Sequence, residues 1–173
     1  MKQETGSAIT IARAVDGDRA GIGQVHVASW RDAYADVLPA DYLGTQIEDR
    51  MNAHWSSKVF GEGDVVLVAR RGERVVGFAA TWAEVPPLLD NLHILPGLRR
   101  YGLGQRLIRK TAKVLRDSGR DRLALWVLSD NAGARRFYAR LGGVEGRRKT
   151  RRLGTTQAEN IAVTWDSLDP ILD

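Results

Sequence analysis

The sequence predicts an α/β (α+β) fold: a mixed, mostly antiparallel central sheet of about seven strands with helices on both faces. Three observations carry this. Short apolar runs alternate with helical periodicities in the order β, α, α, β, β, β, α, β, α, β, β. Successive strands joined by short turns, in the middle and in the tail, call for antiparallel neighbours. One strand, helix, strand crossover adds a parallel pair and makes the sheet mixed.

Each element has its own justification. Ile9 to Val15 is a short apolar strand, and Asp18 is placed to cap the helix that follows, where Ile22, Val25 and Ser29 recur at helical spacing, with Trp30 close behind. Pro39 opens a second helix, with Leu43, Ile47, Met51, Trp55 and Val59 at intervals of four. Asp64 to Ala69 and Val75 to Trp82 form a hairpin around the turn that contains Gly72. After Pro86 and Pro87, a strand from Leu89 to Leu95 is halted by Pro96 and Gly97. From Gly102, Leu103, Leu107, Ile108, Thr111, Val114 and Leu115 mark a helix that ends near Ser118 and Gly119. Arg122 to Leu128 is nearly continuous apolar sequence, the pattern of a strand covered on both faces. Asp130 or Asn131 caps a helix through Leu141, with Gly142 and Gly143 as its stop. Gly146 to Arg152 and Asn160 to Trp165 are two tail strands joined around Gly154.

The chain has 173 residues, 26 Lys plus Arg against 21 Asp plus Glu, a formal net charge of +5 and no cysteine. A single domain over 1–173 is expected, with a core large enough to need no staples. Without cysteine there is no acyl-cysteine intermediate, disulfide framework, Cys-ligated zinc or CxxC redox pair. His26, His54 and His93 form no HExxH or HxxxH pair, so no metal cofactor is expected. No apolar run spans a bilayer and Met1 to Ser7 lacks a signal-peptide core, so the expectation is a cytoplasmic, soluble protein with no membrane partner. The positive surplus calls for an anionic ligand.

Leu92 to Leu107 is the sharpest local signal. A strand runs into a loop with Arg99, Arg100, Gly102 and Gly104, and an amphipathic helix starts at once. Free N–H groups and about half a positive charge at the helix start, with nearby guanidinium groups, suit a pyrophosphate. The bland alternative is a helix start with incidental arginines. A dinucleotide fingerprint fails for want of a third glycine at Leu107, and no GxxxxGK[ST] loop is present.

The stretch resembles motif A of the GNAT superfamily (GCN5-related N-acetyltransferases), whose [QR]xxGx[GA] signature is matched by Arg99, Gly102 and Gly104 after a strand ending in proline. Leu125 to Asn131, Ala134, Phe137, Tyr138 and Leu141 to Gly143 resemble its motif B, and the segment from Trp30 to Leu43 is similar to the first helical region of many bacterial members. Resemblance spans residues 9 to 166. It implies an N-acetyltransferase with acetyl-CoA as co-substrate, transferring to an amine acceptor of unidentified kind in a ternary complex. Main-chain groups of His93, Ile94 and Leu95 would take the pantetheine arm, and an amide near Ile94 would polarise the thioester. Amides from Arg99 through Arg100, Tyr101, Gly102 and Leu103 to Gly104 would take the pyrophosphate. Asn131 would contact pantetheine, a role compatible with a helix N-cap.

Tyr138 matches the family's usual general acid, against a plain reading as a core aromatic beside Phe137. For the base, Asp90, Glu84 and His93 are candidates beside a water chain; each carboxylate could equally be a solvated loop charge, and His93 a core residue. Trp30 and Tyr34 would line the acceptor side, although aromatic stripes at helical spacing are commonly core. Asp32, Asp36, Glu84 and Asp90 would suit a cationic amine. Arg100 and Tyr101 depart from the family pattern, which often has Gly and a small or basic residue there. The basic clusters at Arg135, Arg136 and Arg140 and from Arg147 to Arg152 read first as a solvated face. Nucleic acid is disfavoured as a partner because that tract lacks interleaved aromatics. The resemblance also allows a homodimer through tail strands. The alternative from another class is a non-catalytic CoA-binding or nucleic-acid/ribosome-associated module on the same fold.

Overall fold

The computed structural model describes residues 8–36, 38–153 and 156–173. Seven strands form one mixed sheet in the order β1-β2-β3-β4-β5-β7-β6. They are β1 (Ile9–Arg13), β2 (Val65–Arg71), β3 (Arg74–Trp82), β4 (Leu88–Ile94), β5 (Leu123–Leu128), β6 (Val144–Leu153) and β7 (Thr156–Trp165). The helices are α1 (Arg19–Ala33), α2 (Ile47–Ser57), α3 (Leu103–Asp117), α4 (Ala132–Arg140) and the short α5 (Asp169–Leu172). β4 and β5 pair in parallel, while β1 with β2, β5 with β7 and β6 with β7 are antiparallel. The predicted mixed sheet is thus present, with the crossover at α3.

The described residues fall into two compact units. The first takes in the described part of Met1–Phe60, together with Val66–Ala79 and Leu92–Leu107. Its core is Ile22 and Val25 on α1, Ile47, Met51 and Trp55 on α2, and Phe78 on β3. The predicted second helix begins later than Pro39 because Gly44 leaves the helical region at ψ −124°. Arg31 takes up the carbonyls loosened there, donating to Leu43 (2.7 Å) and Gly44 (2.8 Å). Val59 lies beyond α2 and is exposed. Asp18 does not cap α1 as expected. Its carboxylate is buried, pairs with Arg70 at 2.5 Å and accepts the Val15 N–H at 2.8 Å, so it ties the turn before α1 to β2.

The second unit comprises Gly61–Val65, Ala80–Asn91 and Ile108–Asp173. Leu115, Leu123, Ile161, Trp165, Leu168 and Ile171 are fully or nearly fully buried in it. β5 alternates buried and half-buried residues, so it is not enclosed on both faces as its apolar run suggests. Trp126 is among the half-buried ones. Both tail strands are longer than predicted and meet in an antiparallel ladder with an irregularity between Glu145 and Arg148. The predicted joint at Gly154 lies outside the described residues. No helix among the described residues is long and apolar enough to cross a membrane.

Candidate active site

In the first unit, β4 is followed by a short helical turn, Pro96–Tyr101, and then by α3. Gly102 joins the two at φ +68°, a left-handed conformation that a side chain disfavours, and a Cβ there would meet nothing within 4 Å. The first N–H groups of α3 lack intrahelical partners by helix geometry, and Arg106 N–H closes the first bond onto Gly102 O at 3.1 Å. Arg100, Tyr101 and Gly102 are exposed. Open space, free amides and cationic side chains are what a pyrophosphate needs, and this loop offers all three.

Arg99 is not idle. Its guanidinium pairs with Asp32 on α1 and donates to Ser29 Oγ at 3.2 Å. Ser29 Oγ lies 2.9 Å from His93 Nδ1. The Ser29 hydroxyl can accept from Arg99 and still either donate to Nδ1 or accept from it, so the direction of the Ser29–His93 bond follows the imidazole tautomer. His26 stacks on His93 with centroids 4.5 Å apart, and its Nδ1 accepts from Trp55 Nε1 at 3.0 Å. Burial, then His26 and Arg99, hold the His93 pKa well below its ordinary value. The ring is therefore neutral near pH 7 with Nδ1 engaged, which describes a packed residue better than a free base.

The main chain of β4 separates the three residues expected to hold pantetheine. Leu95 N–H donates to Val76 O at 3.0 Å, so it is spent on the ladder. Successive strand residues alternate their polar groups between the two edges, which puts His93 with Leu95 and turns Ile94 to the other edge. Of the three, Ile94 is the one whose N–H faces away from β3. Trp30 and Tyr34 lie on one side of α1 with ring centroids 4.7 Å apart, both half-buried.

In the second unit, Asn131 caps α4 by accepting the Ala134 N–H at 3.0 Å, which leaves its Nδ2 as a donor. Tyr138 is half-buried, edge-on to Phe137 and Trp165. Its phenol has no hydrogen-bond partner among the described residues, and burial pushes its pKa well above the ordinary value. Asp90 is exposed and accepts from Trp82 Nε1 at 3.0 Å and Asn91 Nδ2 at 3.1 Å, which orients its carboxylate. Glu84 is exposed in the loop after β3, its N–H bonded to Trp82 O at 2.8 Å. Both carboxylates lie within electrostatic reach of Lys149 on β6. Among the basic residues, Arg135 grips Glu145 with two nitrogens, at 2.7 and 2.9 Å, and Arg148 pairs with Glu159. No group of three or more His, Asp or Glu placed to hold a metal ion occurs among the described residues.

The structure thus gathers Arg99, His93, Ser29 and Asp32 in one unit, and Glu84, Asp90 and Lys149 in the other. Ser29, as a bridge between the loop arginine and His93, has no sequence signal, since a serine inside a helix can face anywhere. Lys149 was hidden in a basic run; its distinguishing mark is the single amine among guanidinium groups.

A model of the acetyltransferase (GNAT) family matches residues 21–143. The chain is 29% identical over 133 residues to the uncharacterized N-acetyltransferase YuaI of Bacillus subtilis (strain 168), covering 71% of this chain and 73% of that one. It is 30% identical over 137 residues to an uncharacterized N-acetyltransferase of Archaeoglobus fulgidus, covering 75% and 88%. Among solved structures, PaiA N-acetyltransferase from Thermoplasma acidophilum in complex with coenzyme A has the same fold, with a TM-score of 0.68, 18% identity and coverage of 89% and 98%.

Proposed function

Because the chain belongs to the acetyltransferase (GNAT) family, we propose that it moves an acetyl group from acetyl-CoA to a primary amine of a small molecule or peptide, by direct attack in a ternary complex. The observation that carries the reading is the segment Pro96 to Gly104, where Arg99, Arg100, a left-handed Gly102 and the start of a 15-residue helix follow one another. Acetyl-CoA supplies an activated thioester; the chain supplies position, charge and protons.

The loop amides and Arg100 hold the pyrophosphate, and Arg99 joins them by exchanging the Asp32 carboxylate for a phosphate. Ile94 N–H donates to the thioester oxygen, whose negative charge grows as the amine attacks. Asn131 Nδ2 donates to the pantetheine arm. Tyr138 gives its phenolic proton to the departing thiolate. A thiolate, whose thiol has a pKa about 8.5, is a weaker base than a phenolate, so the transfer is uphill in water, but the pKa of a thiol formed in equally dry surroundings is raised as well. Asp90 or Glu84 receives the proton that the attacking ammonium must lose. Trp30 and Tyr34 line the acceptor side.

The test is a titration with acetyl-CoA followed by thiol release in the presence of polyamines, amino acids, aminoglycosides and peptide N-termini. The chain has no cysteine, so the protein adds no thiol background. Release that depends on one of these acceptors is expected. Tight cofactor binding with no acceptor-dependent release would replace this reading with a non-catalytic CoA-binding module.

A further inference from the structure

The second unit carries a lysine amine that feels the charges of Glu84 and Asp90, the two carboxylates put forward as bases for the acceptor. Lys149 Nζ lies 3.6 Å from the centroid of the Trp126 ring, and Arg147 stands farther out over the same ring at 5.5 Å. Trp126 on β5 and Lys149 on β6 meet across β7, where Trp126 is in register with the small Ala162 and Lys149 with Asn160. An ammonium held on an indole face is restrained without being bonded, which leaves its nitrogen available for chemistry. Glu84 and Asp90 attract this ammonium while Arg147 and Arg151 repel it. These carboxylates are the same two that serve as candidate bases for the acceptor.

Composition sharpens the point. Residues 147–152 read RRKTRR, so Lys149 is the sole amine among four arginines. A guanidinium stays protonated and is a poor nucleophile, whereas an amine becomes one on losing a proton. Desolvation first, and the neighbouring arginines next, lower the Lys149 pKa, so more of it is neutral at a given pH than of an ordinary lysine.

We propose that Lys149 is a self-acetylation site of this enzyme, its amine, held on the Trp126 ring within the field of Glu84 and Asp90, taking the acceptor's place. The proposal rests on the acetyl-transfer reading above. The ammonium passes one proton to Glu84 or Asp90 and on to solvent. The neutral nitrogen attacks the thioester carbon, a C–N bond forms as the C–S bond breaks, Tyr138 protonates the thiolate to CoA, and the second proton shed by the nitrogen restores the phenol. The lysine ends as an uncharged amide, with its positive charge removed from the indole face.

The test incubates the full chain with acetyl-CoA and no acceptor, and maps acetylation by peptide mass spectrometry, with calorimetry of acetyl-CoA binding run in parallel. Lys149 is expected to acetylate at least about tenfold faster than the exposed Lys110 and Lys113, equivalent to about 1.4 kcal/mol in barrier. Trp126→Ala and the double variant Glu84→Gln with Asp90→Asn should abolish that preference. A small acylating ester used without CoA gives a second readout: the Lys149 labelling rate should level off at lower pH than that of free Nα-acetyl-lysine amide. Equal labelling of all exposed lysines, or bound acetyl-CoA with Lys149 unmodified, overturns the proposal. Failure to bind acetyl-CoA overturns the underlying transferase reading instead, and calorimetry separates that case.

Discussion

Tyr138 is the residue on which the proposed chemistry turns, and its surroundings make the prediction specific. Its phenol lacks a hydrogen-bond partner among the described residues and its ring packs against Phe137 and Trp165, so Tyr138→Phe keeps the packing and deletes only the proton. Turnover should fall by about 100-fold, the lower end of general-acid effects, with acetyl-CoA affinity within about twofold of the parent by calorimetry. His93 gives a prediction of a different kind. Its folded pKa lies below the unfolded value of about 6.5, so between the two values the folded state binds fewer protons than the unfolded chain. The stability it contributes is complete above about pH 6.5 and is lost as pH drops toward the folded pKa. Urea midpoints should decline from pH 7 to 5, and His93→Gln should flatten that decline; equal slopes would disprove it. At this scale the sequence was informative where a residue acts through its own backbone or cap. Gly102 and Asn131 sit as their motifs require, one left-handed and one capping α4. It was silent where partners are distant in the chain, as with Ser29 between Arg99 and His93.

The elements were legible by periodicity, and the misreadings have physical causes. Leu43 to Val59 kept a four-residue period through Gly44, but a glycine lets the backbone depart and Arg31 rewards the departure with two hydrogen bonds. The apolar run of β5 concealed an alternation, because Trp126 is apolar in composition yet serves as a platform for cations. Asp18 had a cap's identity and position, but a buried carboxylate gains more from Arg70 than from helix amides. The turn after α4 offers a test of packing at this level. A Cβ on Gly143 would lie 2.6 Å from both the Trp165 ring and the Val163 side chain and 3.0 Å from the Tyr138 carbonyl oxygen. Gly143→Ala should destabilise the protein by about 2–3 kcal/mol, read from urea midpoints. A variant as stable as the parent would mean that β7 yields freely at this contact. The same change should also lower turnover, since the strained carbonyl belongs to Tyr138.

For the molecule as a whole, the family and the mixed sheet were readable from order and motif, whereas the disposition of charge was not. The net charge of +5 called for an anionic ligand but did not say which arginines are committed: Arg135 pairs with Glu145, Arg148 with Glu159, Arg116 with Asp121 and Arg122 with Asp166, pairs that leave the surplus of +5 unchanged. β6 is different: it ends the sheet order, and its residues from Val144 to Arg152 are exposed. An open terminal strand is an invitation to polymerise, since its outward amides and carbonyls can continue the ladder with any second copy. Antiparallel docking centred between Lys149 and Thr150 would set Arg147 against Arg152 and Arg151 against Arg148, the last partly offset by Glu159, so like charges would oppose continuation of the ladder in that register. Screening lengths shrink from about 10 Å at 0.1 M salt to about 3 Å at 1 M. Sedimentation should therefore find more self-association at 1 M than at 0.1 M sodium chloride, and replacement of Arg148 and Arg151 by threonine should bring that association down to low salt. On that result the run of arginines, so easily taken for a docking surface, would be a terminator that limits the number of strands in the sheet.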